Sequence, residues 1–258
     1  MNGGWTAADL TLDRAEILRM QGYRDPSLAS PAVREILEAC LAEGQGLLQP
    51  QTWHRRVGIA GTEGGRVLVE DGPVFTSKGL ARVLGSSREL VVFLVTIGSA
   101  LERAVQRNTA EGDYPVALML DAVGSVAVEV LADRVQRAVE ADARAIQAGC
   151  SNRYCPGYGD WDVRDQGALF DLLCGDEADV TVRLNDSSLM SPLKSLSGVI
   201  GLGEGVHRIA ESPCHLCAKP NCLMRRAPLR RPEPTAEACV LQGDDDHSAI
   251  RHPHSEMA

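Results

Sequence analysis

The residues best suited to bind a small molecule form one loop, Arg-Tyr-Cys-Pro-Gly-Tyr-Gly-Asp-Trp at positions 153–161. The loop holds three of the ten aromatic residues of the chain, which has four Tyr, three Trp and three Phe. An arginine side chain, flat ring faces and a backbone left bare by glycine can bind a ligand that carries both a carboxylate and a planar heterocycle. The same composition is typical of a rigid turn that fills the core with Tyr and Trp. The loop alone leaves both interpretations open.

A second pattern follows a predicted amphipathic helix at 165–173 and a predicted strand at 180–184. It reads Ser-x-x-Met-x-Pro-x-x-Ser-x-Ser-Gly and consists of Ser187, Met190, Pro192, Ser195, Ser197 and Gly198. This order of loop, helix, strand and second pattern resembles the activation (reactivation) domain of cobalamin-dependent methionine synthase, whose loop reads Arg-x-x-x-Gly-Tyr. Two spaced patterns in the right order are more specific than either alone. The resemblance covers residues 30–210 and is most specific over 115–202.

The resemblance implies an α+β fold of the methionine synthase activation domain type, with a mixed or antiparallel sheet, a long helix and flanking helices. It also implies that the domain binds S-adenosylmethionine and presents its methyl group to cobalamin on a partner chain. An external one-electron donor such as flavodoxin reduces the cobalt so that it can accept the methyl group. Positioning, exclusion of water and docking are the protein's share of this methyl transfer, which needs no general base. The lack of a Ser-His-Asp or Cys-His constellation therefore does not exclude an enzymatic role.

The resemblance also implies roles for four loop residues. Arg153 would hold the carboxylate of the ligand with a charge-assisted fork. The backbone of Gly157 would lie near adenine, and the hydroxyl of Tyr158 would lie beside the reacting methyl group. Cys155 stands where the methionine synthases carry a small alanine. Its neighbouring backbone would contact adenine, or the residue would serve only for packing.

Acidic residues on the long helix predicted from Pro115 to about Gln147 are further candidates. The resemblance implies that such side chains hold the ammonium or the ribose of the ligand. Glu129 is the best candidate, and Asp121 is the second. Both also fit the solvated edge of a long helix. Gln147 stands where the family has a glutamate, a difference expected to weaken ligand binding.

Three closely spaced cysteines near the C-terminus form a separate candidate metal site: Cys214, Cys217 and Cys222. Thiolates at this spacing can converge on one zinc ion or one iron–sulfur cluster. The fourth ligand is open, with Cys239, His207 and Cys155 as candidates. A zinc knuckle, a redox-active cluster and free thiols all remain possible. The methionine synthase pattern lacks this extension, which resembles cysteine clusters in short stand-alone relatives found with corrinoid methyltransferases.

The composition limits the classes of function. The net charge of −9 at pH 7 argues against a nucleic-acid partner, because phosphate binding needs a concentrated basic surface. The longest wholly apolar run, Leu90–Val95, is far shorter than the roughly 20 residues that span a bilayer. Residues 1–30 lack the apolar core of a secretory signal. We therefore expect a cytoplasmic protein with no membrane partner, whose eight cysteines are mostly reduced.

Hydrophobic periodicity and turn residues predict the organisation of the chain. The expected segments are an N-terminal extension at 1–29, the activation domain-like unit at 30–212, the Cys-rich extension at 213–226 and a disordered tail at 227–258. Predicted helices lie at 11–23, from Pro31 after a Ser30 cap, from the Ser77 cap to Leu84, and from Pro115. Predicted strands lie at 56–60, 66–70, 89–97, 180–184 and 197–202, with a further one at 206–210.

Three functions are consistent with these features. The first is the activation subunit of a split cobalamin-dependent methionine synthase, which supports reductive remethylation of cob(II)alamin. The second is a reactivator of another corrinoid methyltransferase system, in which the cysteine cluster delivers the electron. The third is a non-enzymatic, metal-stapled interaction module that has kept the fold and lost the ligand. Ligand binding separates the third function from the first two.

Overall fold

The structure is a computed structural model that describes residues 4–174 and 180–208. Its helices are α1 (Arg14–Met20), α2 (Pro31–Leu47), α3 (Lys78–Leu84), α4 (Ala100–Glu111), α5 (Tyr114–Ala145) and α6 (Gln166–Cys174). Its strands are β1 (Gln51–Glu63), β2 (Arg66–Val69), β3 (Val74–Thr76), β4 (Glu89–Thr96), β5 (Gly149–Cys150), β6 (Arg183–Leu184), β7 (Met190–Ser191) and β8 (Ser195–Gly203). Short 3-10 helices lie at Ala7–Asp9, Pro26–Leu28 and Val163–Asp165.

Strands β3-β2-β1-β4-β8-β5, in that order, form one antiparallel sheet, and β6 pairs with β7 in a separate hairpin. Strand β4 lies at the centre, and all of its residues after Glu89 are buried. It is apolar on both faces because helices cover both faces of the sheet. Helices α2, α4 and α5 pack on one face, and α3 and α6 pack on the other. The α+β fold predicted from the sequence is confirmed, with an antiparallel sheet.

Helix α5 is the long helix predicted from Pro115, and it spans 32 residues. Asp113 caps its first turn by accepting the N–H of Val116 at 3.3 Å. Within the described part of the chain, α5 is the one helix long and apolar enough to cross a membrane by length and composition, and 61% of its most apolar window is buried inside the protein. Packing against the sheet and the neighbouring helices accounts for this composition.

The residues before α2 belong to the same core. Leu10, Ile17 and Leu18 are 2%, 0% and 4% exposed and pack in the cluster that contains α5. The segment predicted as an N-terminal extension therefore shares its core with the rest of the described chain.

Two predicted helix caps are confirmed. The Ser30 hydroxyl accepts the N–H of Val33 at 3.3 Å at the start of α2. The Ser77 hydroxyl accepts the N–H of Leu80 at 3.0 Å at the start of α3. In both places the side-chain oxygen satisfies a backbone donor that has no partner within its own helix.

Helix α4 is missing from the sequence prediction. Only Leu101 and Ala104 are buried in it, and most of its other residues are polar. Two buried positions in the first turns are too few to reveal a helical period in the sequence.

Two predicted strands also differ from the structure. The strand predicted at 180–184 is limited to β6, while Val180 and Val182 are buried in the cluster that contains α6. The strand predicted at 206–210 is wrong over its described part, because residues 206–208 form no strand.

Candidate functional site

The loop at 153–161 is fastened to β8 through its own backbone. The N–H of Tyr154 donates to the C=O of Val199 at 2.9 Å, and the N–H of Val199 donates to the C=O of Tyr154 at 2.9 Å. Gly198 permits this close approach: a Cβ there would lie 2.7 Å from the Tyr154 carbonyl oxygen and 2.8 Å from the Cys155 sulfur. The glycine of the second sequence pattern is therefore needed to seat the loop that carries the first.

Two aromatic residues of the loop are part of the core. Tyr154 and Trp161 are 6% and 2% exposed, and their rings stack with centroids 6.0 Å apart. Trp161 also meets Phe75 edge-on at 5.4 Å. Tyr154 and Trp161 therefore fit the interpretation of the loop as a rigid turn that fills the core. Arg153 and Tyr158, by contrast, are only partly buried.

Arg153 lies between two carboxylates of α5. Its Nη2 donates to Glu129 Oε2 at 2.6 Å, and its Nη1 donates to Asp133 Oδ1. The side chains of Arg153 and Glu129 are 15% and 17% exposed, whereas that of Asp133 is 45% exposed. Burial lowers the pKa of Arg153, but the two carboxylates outweigh burial and hold the pKa above its ordinary value. The guanidinium therefore stays charged in its partly buried position.

Gln136 fixes the backbone that carries Arg153. Gln136 is buried and only 2% exposed. Its Oε1 accepts the N–H of Arg153 at 2.7 Å, and its Nε2 donates to the C=O of Ser151 at 3.0 Å. One buried amide thus satisfies a donor and an acceptor of the segment that enters the loop. Helix α5 positions Arg153 twice, through Gln136 at the backbone and through the two carboxylates at the side chain.

Cys155 is near enough to Arg153 and Glu129 to interact with their charges and is 3% exposed. Burial raises the pKa of its thiol to about 12, with Arg153 lowering it, Glu129 raising it and a hydrogen bond with Tyr158 lowering it. The thiol is therefore protonated at neutral pH, which fits a packing residue and disfavours a metal ligand. The Tyr158 ring meets the Tyr154 ring edge-on, with centroids 5.9 Å apart.

Asp160 ties the far end of the loop to the start of α3. Its Oδ1 accepts from the Ser77 hydroxyl at 2.6 Å and from the N–H of Gly79 at 3.0 Å, and its Oδ2 accepts from the N–H of Lys78 at 2.7 Å. Burial raises the pKa of Asp160, but these hydrogen bonds outweigh burial and bring the pKa below its ordinary value of 3.8. The ionised carboxylate is therefore the form that holds the loop.

We expect Asp160→Asn to lower the free energy of unfolding at pH 7 by about 1–2 kcal/mol, because the amide nitrogen that replaces Oδ2 cannot accept the N–H of Lys78. Because the folded-state pKa of Asp160 is depressed, its contribution is present above pH about 4 and is lost as the pH falls through the folded-state pKa. Urea unfolding of both proteins at pH 7, 5 and 3.5 measures this. Asp171→Asn, an exposed change on α6, is the control. A difference between wild type and Asp160→Asn that does not shrink at the lowest pH would contradict the assignment.

Asp121 belongs to a second polar group. Its Oδ1 lies 2.7 Å from Lys194 Nζ, and Lys194 also donates to the Ser125 hydroxyl at 2.8 Å. Asp121 precedes Glu129 by eight residues, which correspond to about 12 Å along an α-helix. The ion pair fastens the start of β8 to α5 and lies apart from the Arg153 group.

The structure brings together four of the residues predicted for a ligand site: Arg153, Glu129, Cys155 and Tyr158. Gly157 is exposed in the same loop and has a φ of 86°, a conformation that favours glycine. Asp133 and Gln136 contact Arg153 and were not among the predicted residues. Both follow Glu129 at intervals that return to the same face of a helix, but this spacing alone does not show that this face meets Arg153.

The predicted metal ligands Cys214, Cys217 and Cys222 lie outside the described residues. Within residues 4–174 and 180–208, no group of three or more His, Cys, Asp or Glu side chains is arranged to hold a metal ion.

The fold is similar to that of solved structures, one of which contains a bound ligand. This one is a crystal structure of the MetH reactivation domain bound to AdoHcy, with a TM-score of 0.57 and 14% sequence identity, over 78% of this chain and 77% of that chain. The chain has a reactivation domain-like fold. At this identity the likeness concerns the fold alone. No family model matches the chain, and no curated protein matches its sequence.

Proposed function

We propose that the protein is the S-adenosylmethionine-binding activation subunit of a split cobalamin-dependent methionine synthase and supports the reductive remethylation of cob(II)alamin. The observation that carries the proposal is the Arg153 group, a partly buried arginine held by Glu129 and Asp133 in a reactivation domain-like fold. The similar domain was solved with AdoHcy, the thioether that remains when S-adenosylmethionine loses its methyl group.

The charges of the Arg153 group suit this ligand. S-adenosylmethionine carries a carboxylate, an α-ammonium and a sulfonium, and so has one net positive charge. With both carboxylates ionised, Arg153, Glu129 and Asp133 together carry one net negative charge. The guanidinium suits the ligand carboxylate, and the excess negative charge suits its cations.

In the proposed reaction the methyl group passes from sulfur to cobalt. The carbon–sulfur bond breaks, its electron pair stays on sulfur, and a cobalt–carbon bond forms. Cobalamin on the partner chain supplies the nucleophile after one-electron reduction by a flavodoxin-like or other donor. This chain binds the sulfonium ligand, orients its methyl group toward the docked partner and excludes water.

We assign the cobalamin to a separate cytoplasmic protein. The sequence has no Asp-x-His-x-x-Gly pattern of the kind that supplies a histidine ligand to a bound corrinoid. Docking around the 153–161 loop would bury at least about 1,000 Å² in total. We expect the contact to be transient, because the same corrinoid must return to its catalytic partners in each cycle.

A reconstituted assay tests the function. Purified protein, S-adenosylmethionine, the cobalamin-binding partner and a one-electron reductant are combined without oxygen, and methylcobalamin is followed by its absorbance. We expect formation only with all components present. An equal rate without this chain would contradict the proposal, as would tight, stoichiometric cobalamin binding by this chain alone.

We expect Tyr158→Phe to slow methyl transfer more than it weakens ligand binding, because its hydroxyl is proposed to lie beside the reacting methyl group. Losing one such hydrogen-bonding group corresponds to roughly a tenfold lower rate. The rate is measured under single-turnover conditions and the affinity by calorimetry. Tyr114→Phe, at a residue 60% exposed, is the control. An unchanged rate for Tyr158→Phe would show that the Tyr158 hydroxyl takes no part in methyl transfer.

We further propose that one metal ion or cluster is bound by three residues: Cys214, Cys217 and Cys222. Zinc would leave the protein colourless, whereas an iron–sulfur cluster would give a brown protein that absorbs near roughly 400 nm. Elemental analysis of anaerobically purified protein is expected to find zinc or iron, and the content should vanish when all three cysteines are changed to serine. Metal content near zero in the wild type would show that the three residues are free cysteines.

One observation favours a different function. Both terminal nitrogens of Arg153 already have carboxylate partners within the chain. An arginine whose charge is already paired within the chain fits an interaction module that has kept the fold and lost the ligand. In that case calorimetry would detect no binding of S-adenosylmethionine, and the chain would act only by contacting a partner.

A further inference from the structure

His207 carries an imidazole whose tautomer is set by the backbone. Its Nδ1 lies 3.1 Å from the carbonyl oxygen of Gly205. A carbonyl oxygen can only accept a hydrogen bond, so Nδ1 carries the proton and Nε2 keeps its lone pair in the neutral ring. Metal-binding histidines have this arrangement, in which one ring nitrogen donates to a backbone carbonyl and the other binds the metal. Because His207 is exposed, its ring can be reached from solvent.

The residues on either side of His207 are held against the folded domain. Val206 passes so close to β5 that a Cβ on Gly149 would overlap the Val206 carbonyl oxygen. Arg208 Nε donates to Asn152 Oδ1 at 3.2 Å, beside the segment that enters the 153–161 loop. The backbone that presents the imidazole is therefore fixed at two points. A group held in place beforehand loses less conformational freedom when it binds.

We propose that Nε2 of His207 is the fourth ligand of a four-coordinate zinc site. The other three ligands are the thiolates of Cys214, Cys217 and Cys222. This inference rests on the metal site put forward with the proposed function, and it names both the fourth ligand and the metal. Three thiolates and one imidazole are a ligand set that structural zinc sites use. The thiols lose their protons when the ion binds, because the thiolate is the form that ligates.

The other two candidates for the fourth position are less suited. Cys155 is 3% exposed and packs in the core, so an outside segment does not reach its sulfur. Six residues separate His207 from Cys214, whereas sixteen separate Cys222 from Cys239. The shorter connection costs less conformational entropy to close around the ion. His207 thus combines a short connection with a fixed and exposed ring.

Cobalt substitution in the full-length protein tests the ligand set, because the visible bands of bound Co²⁺ depend on its ligands and geometry. Zinc affinity is measured in parallel by competition with a chelating dye. We expect His207→Ala to shift the cobalt bands and to weaken zinc binding by at least about tenfold, the scale on which loss of even a supporting contact acts. His207→Cys supplies a fourth thiolate, so it should restore tight binding and strengthen the sulfur-to-cobalt charge-transfer band.

Two variants make the result specific. His215→Ala removes a histidine directly next to a ligand, and Cys239→Ser removes the distant thiol; both should behave like the wild type. Unchanged zinc affinity and cobalt bands in His207→Ala would overturn the role of His207. Iron in place of zinc in the purified protein would overturn the choice of metal, and metal-free wild-type protein would overturn the whole site. Calorimetry with S-adenosylmethionine on the same protein decides separately whether the proposed ligand binds.

Discussion

Replacing Arg153 by alanine is expected to weaken S-adenosylmethionine binding by about 10- to 150-fold, because a charge-assisted hydrogen bond contributes roughly 1.5–3 kcal/mol. The same change leaves Glu129, 17% exposed, without its cation. We therefore also expect the free energy of unfolding to fall by about 2–4 kcal/mol. Calorimetry measures the affinity, and urea unfolding measures the stability.

Two variants separate these effects. Arg137→Ala changes an exposed arginine of the same helix and should alter neither quantity. Arg153→Lys keeps a positive charge between the carboxylates but lacks the planar fork. It should recover more of the stability than of the affinity. Equal affinity of the wild type and Arg153→Ala for S-adenosylmethionine would show that Arg153 does not bind the ligand.

Replacing Gln136 by leucine is expected to lower the free energy of unfolding by about 2–5 kcal/mol. The change leaves the N–H of Arg153 and the C=O of Ser151 without their side-chain partner, and each unpaired buried group costs roughly 1–3 kcal/mol. Ligand affinity should fall as well, because the backbone of Arg153 loses its anchor. Urea unfolding and calorimetry on the same preparations measure both.

Gln106→Leu is the matched control, because Gln106 is an exposed glutamine on α4 and its loss should leave stability nearly unchanged. A Gln136→Leu protein as stable as the wild type would show that the buried amide does not hold the segment that enters the loop.

The central elements of the fold were predictable from the sequence, and the structure confirms the physical reasons for the prediction. The apolar run of β4 is buried on both faces, and Ser30 and Ser77 cap the helices they precede. Helix α4 was missed because two buried residues, Leu101 and Ala104, give no readable period.

The candidate site was only partly predictable. Arg153, Glu129, Cys155 and Tyr158 were identified by resemblance, and they meet in space. Asp133, by contrast, becomes visible only when the loop folds back onto α5, since nothing in the spacing of a long helix says which acidic residues face an arginine.

The contact between the two sequence patterns also could not be predicted from the sequence. The resemblance required Gly198, but it gave no reason for a glycine there. The reason is tertiary: the loop passes so close to β8 that a Cβ would lie 2.7 Å from the carbonyl oxygen of Tyr154. Contacts between residues far apart in the chain depend on the final packing and leave no local pattern.

Titration of S-adenosylmethionine into the wild-type protein by calorimetry tests the central claim most directly. We expect saturable binding of one molecule per chain, strongly weakened in Arg153→Ala and unchanged in Arg137→Ala. No saturable binding at ligand concentrations up to about 1 mM, which corresponds to a binding free energy weaker than roughly 4 kcal/mol, would contradict it.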